Sequence, residues 1–197
     1  MIPKIEGSRS QLGQDCFVAF VLNNKFGGTY IEIGSSHPIE ISNTYLLETK
    51  FGFTGCGFEI DEIQAKEFNK VRLNKTIIAD ATKVDYREVF QSKGLPSVID
   101  YLQVDIEPTK NTFSALIQVI KSGYKFNVIT FEHDVYSNLF NYVYKISAFI
   151  FLKAKGYKLV ASNVRNGKLS QEDWYVNKQL KFRGKLRKNT DFRLNFL

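Results

Sequence analysis

The sequence is poor in the residues that build cross-linked or metal-stapled proteins. It has two cysteines in 197 residues, Cys16 and Cys56, and their spacing fits neither a disulfide framework nor a cysteine zinc site. Only four prolines occur, and 44% of the residues are apolar, so the chain is globular rather than disordered. No apolar run approaches the roughly 20 residues of a membrane span. We therefore expect a protein of the reducing cytoplasm without a cleaved leader.

Positive charge is concentrated at one end of the chain. Residues 178–197 carry seven lysines and arginines against Asp191 alone, a net charge of +6 out of +7 for the whole protein. Such a tail indicates an anionic partner, for which nucleic acid, an acidic glycan and lipid headgroups all stay open. Because leucines and phenylalanines are interleaved, the tail could instead pack as a closing element. We predict a single domain over 1–177 and a basic tail over 178–197, with no signal for an oligomeric state.

Hydrophobic periodicity predicts strands that alternate with helices. The strands are expected at 29–33, 55–61, 75–82, 97–107, 125–131, 157–164 and 173–176. Helices are expected at 11–24, 42–51, 62–73, 85–92 and 139–155, and another after Pro108, capped by Asn111 and closed by Gly123. The helix over 139–155 carries two apolar stripes, which predicts burial on more than one side. This order favours an α/β, Rossmann-like fold: a mostly parallel seven-stranded sheet with helices on both faces and an antiparallel C-terminal hairpin.

The stretch 29–48 is the strongest candidate for a ligand site. A β-branched strand runs into Gly34, a polar loop follows, and order resumes at Ser42-Asn43-Thr44. In open α/β sheets ligands bind at the carboxyl ends of strands, and a helix N-terminus offers free N–H groups. A ligand-free connection would fit the same spacing equally well.

Polar residues also follow the other strands of the predicted sheet. The ends of the second, fourth and fifth strands carry Glu59 and Asp61, Asp105 and Glu107, and Glu132-His133-Asp134. Since parallel strands end at one edge, this convergence favours an active site. A carboxylate that closes the second strand can accept hydrogen bonds from both hydroxyls of a ribose, a role that fits Glu59. Asp61 is the alternative, unless it caps the next helix, and Asp80 could accept from an exocyclic amine such as that of adenine.

Seven segments taken in order resemble the FkbM-type family of S-adenosylmethionine-dependent methyltransferases. They are SQLGQD (10–15), YIEIG (30–34), SNTYLLE (42–48), GFEID (57–61), DYLQVDIE (100–107), ITFEHD (129–134) and EDWYV (172–176). The resemblance implies the class I methyltransferase fold, S-adenosyl-L-methionine as cofactor, and methyl transfer to a hydroxyl of a sugar or other small metabolite. It covers most of residues 11–176.

The resemblance also assigns residues to parts of the cofactor. The methionine part is expected beside Glu32, Gly34 and the Ser42-Asn43-Thr44 turn, the ribose at Glu59, and the adenine at Asp80 and Ala81. The complete predicted binding set is Glu32, Gly34, Ser36, Ser42, Asn43, Thr44, Glu59, Ile60, Asp80, Ala81 and Asp105. The chain departs from the family at Pro38, where a second glycine is usual, and at Glu107-Pro108, where Glu-Gly is usual.

A base is needed to transfer a methyl group to a weakly acidic hydroxyl. His133 is the first candidate, with Glu132 or Asp134 to orient it, and Asp105 is the second. The carboxylates could alternatively hold Mg²⁺ or Ca²⁺, although no metal site is predicted. The leading prediction is thus O-methylation of a small-molecule or glycan acceptor. The alternatives are a nucleic-acid acceptor held by the basic tail, and a non-catalytic binding module on the same fold.

Overall fold

A computed structural model describes residues 2–167 and 169–181 of the chain. Most of the predicted basic tail, residues 182–197, lies outside the described residues. Within the described part, no helix is long and apolar enough to cross a lipid bilayer.

The core of the protein is one seven-stranded sheet in the order β3-β2-β1-β4-β5-β7-β6. Its first five strands are parallel, whereas β7 runs antiparallel to both β5 and β6. The predicted fold is therefore confirmed, with the opening strand at the point where the strand order reverses. The strands are β1 Thr29–Ile33, β2 Thr54–Glu59, β3 Thr76–Ile78, β4 Val98–Val104, β5 Lys125–Glu132, β6 Tyr157–Asn166 and β7 Leu169–Asn177.

In the described part of the chain, six helices connect the strands and cover the sheet. They are α1 Gln14–Val21, α2 Tyr45–Phe51, α3 Glu62–Val71, α4 Tyr86–Ser92, α5 Thr109–Lys121 and α6 Asn141–Ala154. One apolar cluster joins α1 and α2 to the sheet, and a second joins α4, α5 and α6 to it. Because the two clusters share no residue and lie on opposite faces, helices cover both sides of the sheet, as the alternation predicts.

Two helix predictions are wrong in detail. The N-cap of α5 is Pro108 rather than Asn111, which lies inside the first turn. Burial of α6 on more than one side is also wrong, since Ala148 and Leu152 are the helix's buried residues. The stripe that includes Ile146 and Ile150 faces outward, with exposed fractions of 54% and 60%. Two apolar stripes on a helix thus need not both be buried, because a sheet covers one side of it only.

Candidate functional site

A cavity of about 500 Å³ opens at the carboxyl edge of β1, β2 and β4. This is the edge at which an open α/β sheet binds ligands, next to the reversal of strand order. Its volume lies in the usual range for small-molecule sites. The lining residues are Gln11, Glu32, Gly34, Ser35, Ser36, His37, Ile41, Ser42, Asn43, Phe58, Glu59, Ile60, Asp61, Gln64, Ala79, Asp80, Ala81, Gln103, Asp105, Ile106, Glu107 and Asn111.

Most residues that the sequence assigns to a cofactor lie on this wall. Of the predicted binding set, ten residues line the cavity and Thr44 alone does not. Thr44 lies directly behind the wall, where its hydroxyl donates a hydrogen bond of 2.9 Å to Oε2 of Glu32. The structure thus brings the predicted set together around one space.

Gly34 permits the close approach of β1 to β4 at the cavity. Its φ is +87°, and a Cβ atom there would lie 1.8 Å from the backbone oxygen of Asp105. The chain passes this point because glycine has no side chain and adopts positive φ without strain. The position after β1 therefore requires glycine for two independent reasons.

The loop that contains Pro38 is held by hydrogen bonds that the sequence did not suggest. Nδ1 of His37 accepts from the backbone N–H groups of Ile39 and Glu40, at 3.2 and 2.9 Å. The carbonyl of Pro38 accepts a hydrogen bond of 3.0 Å from Nη1 of Arg72. The departure at Pro38 is therefore accommodated by a defined turn, and Ser36, His37 and Ile41 still face the cavity.

Arg72 is the centre of a buried network behind the cavity. Its guanidinium pairs with Glu48 at 2.8 Å and is fully buried. It also donates to the hydroxyls of Ser42, Thr44 and Tyr30 at 3.0 to 3.2 Å. Burial is the largest single effect and raises the pKa of Glu48, but the hydrogen bonds and charge of Arg72, together with hydrogen bonds from Asn74 and Leu73, hold that pKa below its usual value. Arg72 therefore fixes the loop and the α2 start that form one wall.

The carboxylates after β2 and β3 have different partners. Glu59 accepts from the backbone N–H groups of Ser36 and Asp61, each at 3.0 Å. Asp61 caps α3 by accepting from Ile63 and Gln64. Asp80 lies beyond β3 and accepts from Thr82 and Lys83, which lower its pKa to about 2. Asp80 is thus an ionised acceptor on the wall. Glu59 is an acceptor at the end of β2, and Asp61 has the capping role that the sequence left open.

Two buried acceptors on the wall have no partner among the described residues. They are Oδ1 of Asn43 and Oε1 of Gln103, from side chains that are more than nine-tenths buried. A buried polar group without a hydrogen bond costs about 1–3 kcal/mol, so such groups are rare in proteins. Since both residues line the cavity, a bound group with N–H or O–H donors would satisfy them. An ammonium group is a donor of this kind.

The cavity is acidic although the protein is basic. Of the lining residues in the described part of the chain, six are carboxylic acids and none is lysine or arginine. Burial, partly offset by Arg72, raises the pKa of Glu32 to about 7. Burial and the neighbouring carboxylates, first among them Glu172, raise the pKa of Asp105 well above its usual range. These groups would ionise more readily beside a cation, so the cavity favours a positively charged ligand.

The structure does not bring His133 or Glu132 to the cavity. The ring of His133 is fully buried, with Nε2 3.4 Å from Oδ1 of Asp173, and its Nδ1 accepts from the backbone N–H of Val135. Neither residue is part of the wall. The prediction of His133 as a base is corrected here, because a residue at a strand end can point into the core as well as outward. Asp105 is the predicted base that does line the cavity.

Several wall residues were not predicted from the sequence. Gln11 and Gln64 come from segments before β1 and after β2, and Gln103 comes from inside β4. Gln103 had a signal, because a glutamine between apolar residues of a central strand needs a polar partner. Among the described residues, no group of three or more His, Cys, Asp and Glu side chains is arranged to hold a metal ion.

Replacing Glu32 by glutamine is expected to change how stability depends on pH. In the folded protein the pKa of Glu32 is about 7, above its ordinary value of 4.5. The native state therefore binds the extra proton, and this residue's contribution to stability falls as pH rises from about 4.5 through 7. The free energy of unfolding of Glu32→Gln, relative to wild type, should rise by about 1–3 kcal/mol between pH 5 and pH 8.

Urea titrations of both proteins at the two pH values measure this difference. Glu62→Gln, an exposed change on α3, is the control and should show no such trend. Parallel curves for Glu32→Gln and wild type would contradict the raised pKa.

Comparison with known proteins supports the fold at low sequence identity. No protein-family model matches the chain, and no curated protein sequence matches it. The structure of the human methyltransferase 10 domain containing protein superposes with a TM-score of 0.59 at 9% identity, covering 90% of this chain and 85% of that one. The structure of a fibrillarin/Nop5p complex superposes with a TM-score of 0.56 at 13% identity, covering 87% of this chain and 82% of that one. The structure of human methyltransferase-like protein 13 in complex with SAH superposes with a TM-score of 0.54 at 15% identity, covering 84% of this chain and 79% of that one. The chain therefore has the fold of S-adenosylmethionine-dependent methyltransferases.

Proposed function

We propose that the protein is an S-adenosylmethionine-dependent methyltransferase that methylates a hydroxyl group of a small metabolite or glycan. The observation that carries the proposal is the acid-lined cavity at the carboxyl edge of β1, β2 and β4, with two buried acceptors on its wall. The cofactor supplies a methyl group activated on a sulfonium, and the protein supplies its alignment.

The wall residues fit the cofactor's polar groups. The unpartnered oxygens of Asn43 and Gln103 suit the donor protons of an ammonium group. Glu59, at a strand end beside the loop after β1, suits ribose hydroxyls, although its oxygens already accept from two backbone N–H groups. Carboxylate oxygens have further lone pairs for such bonds. Glu32 lines the same cavity, and its carboxyl group suits a positively charged ligand once that group ionises.

Asp105 is the residue that we propose to act as the base. Asp105 follows β4 directly and lines the cavity, as do Glu107 and, from the first turn of α5, Asn111. Its pKa is raised, chiefly by burial, so as a carboxylate it would be a stronger proton acceptor than an ordinary aspartate. The acceptor oxygen would bond to the methyl carbon as the carbon–sulfur bond breaks, and its proton would pass to Asp105.

The acidic wall also bears on the acceptor class. Among the described residues, phosphates would meet carboxylates and no lysine or arginine at the cavity, which disfavours a nucleic-acid acceptor and favours an uncharged hydroxyl compound. The basic tail keeps the nucleic-acid alternative open for experiment. Binding of RNA that weakens steeply with salt and is required for methyl transfer would favour that alternative.

Calorimetric titration with S-adenosylhomocysteine tests the proposal directly. We expect binding of one molecule per chain. If the protein bound neither this compound nor S-adenosylmethionine, the proposal would be overturned, and a non-catalytic binding module would be the better interpretation.

Glu59→Ala is expected to lower the affinity for S-adenosylhomocysteine about 10- to 100-fold. The change removes a charged acceptor, and hydrogen bonds to charged groups contribute about 1.5–3 kcal/mol. The same titration measures the loss, and thermal unfolding checks that the variant is folded. Glu62→Ala is the matched control, because Glu62 pairs with Lys66 on the exposed side of α3. Equal affinities for Glu59→Ala and wild type would remove Glu59 from the ribose site.

A further inference from the structure

The outer side of α6 carries a group of exposed large apolar side chains. Leu139, Val143, Ile146 and Ile150 recur at helical spacing and are each more than half exposed. Phe140 and Tyr142 flank this row and are exposed as well. We call these six residues the α6 face. An apolar patch of this kind commonly marks a surface of interaction.

The segment that contains the α6 face carries lysines and no carboxylate. Residues 136–160 contain Lys145, Lys153, Lys155 and Lys158 and no aspartate or glutamate. Lys145 is largely buried, whereas the other three are exposed near the C-terminal end of α6. An apolar helix face bordered by lysines is typical of helices that lie in the interface of a lipid bilayer.

The basic tail begins beside the same end of the helix. The backbone N–H of Lys178 donates a hydrogen bond of 3.0 Å to the carbonyl of Gly156, two residues after α6 ends. Residues 178–197 therefore start next to the exposed lysines and carry a net charge of +6. Apolar contact and polybasic charge are the two attractions that stable attachment to a membrane surface requires.

The orientation of α6 connects this surface with the cavity. β5 is parallel to β1 and β4, so its end and the following α6 start lie at the edge of the sheet where the cavity opens. The N-terminal end of α6 is therefore the end that lies at the same edge of the sheet as the cavity.

We propose that the α6 face and the exposed lysines near its C-terminal end form a docking surface for an anionic lipid bilayer. A second copy of the chain fits less well, because pairing two α6 faces brings lysines together and this segment holds no carboxylate to compensate them. RNA fits less well too, since the central row of the face is aliphatic and its two exposed rings, Phe140 and Tyr142, lie only at the start of the helix.

Vesicle co-sedimentation tests the proposal with the full-length protein. We expect binding to vesicles of phosphatidylcholine mixed with phosphatidylglycerol, and much weaker binding to phosphatidylcholine alone. Ile146→Asp should lower the partition into anionic vesicles at least about tenfold, because it places a charge in the buried apolar contact. Leu73→Asp makes the same kind of change at an exposed leucine after α3 and should leave binding unchanged.

A second variant separates the contribution of the tail. Replacing Arg183, Lys185, Arg187 and Lys188 by glutamine should remove most of the preference for anionic vesicles, and most of the sensitivity to salt. The proposal is overturned if wild type does not bind anionic vesicles, or if Ile146→Asp binds as wild type does. A dimer in light scattering that Ile146→Asp dissociates would assign the face to a second copy, and RNA binding that Ile146→Asp abolishes would assign it to RNA.

These outcomes are independent of the proposed enzymatic activity. Ile146 lies outside the cavity wall, so Ile146→Asp should bind S-adenosylhomocysteine as wild type does. Loss of vesicle binding with intact cofactor binding therefore supports the docking surface alone.

Discussion

Arg72→Met is expected to destabilise the protein by about 3–5 kcal/mol, because it leaves the buried carboxylate of Glu48 without its partner. Three hydroxyls and the Pro38 carbonyl lose a donor at the same time. The variant should also bind S-adenosylhomocysteine more weakly, since Arg72 holds the loop and the α2 start that form one wall. Chemical denaturation and calorimetry measure the two effects.

Arg9→Met is the matched control, because Arg9 forms an exposed ion pair with Glu40 at 3.4 Å. Its effect on the free energy of unfolding should stay below about 1 kcal/mol. In the double variant Arg72→Met/Glu48→Leu the unpaired charge is gone, and part of the lost stability should return. A loss for Arg72→Met as small as that for Arg9→Met would show that the buried network does not hold the fold.

Gly34→Ala is expected to abolish detectable cofactor binding and to cost about 3 kcal/mol of stability or more. The new Cβ would lie 1.8 Å from the Asp105 backbone oxygen, so the ends of β1 and β4 must separate. Both strand ends contribute to the cavity wall. Calorimetric titration and urea unfolding provide the measurements.

Gly94→Ala separates backbone strain from the steric clash. Gly94 also has positive φ, +62°, but no atom lies within 4 Å of its Cβ position. That variant should lose about 1–2 kcal/mol and retain cofactor binding. Similar losses for the two variants would mean that the close approach at Gly34 contributes little.

The fold could be predicted because its determinants are local in sequence. The alternation of apolar runs with helical stripes defines the seven strands and their mostly parallel order, and the loop at Asn166-Gly167 defines the hairpin. The exposure of α6 was not predictable, since it depends on what packs against the helix. The cap of α5 was also misplaced. The helix begins at Thr109, directly after Pro108, so Asn111 lies inside its first turn.

The sequence could predict site residues whose position depends on where a strand ends. It could not predict those whose position depends on the direction in which the side chain points. Glu32, Glu59 and Asp105 lie on the wall because parallel strands end at one edge. His133 follows the same rule in sequence but points into the core. Arg72 gave no signal, because its partners Glu48, Ser42 and Pro38 are distant in sequence.

The acidic wall affects how readily the product is exchanged for fresh cofactor. In the proposed reaction the ligand enters with a positively charged sulfur and leaves with a neutral one. Glu32 and Asp105 would attract the first form and lose that attraction once the methyl group has moved. The charge that draws the cofactor in therefore gives no help in retaining the spent product. A neutral wall of the same shape would not distinguish the two by charge, and a basic wall would favour the neutral product.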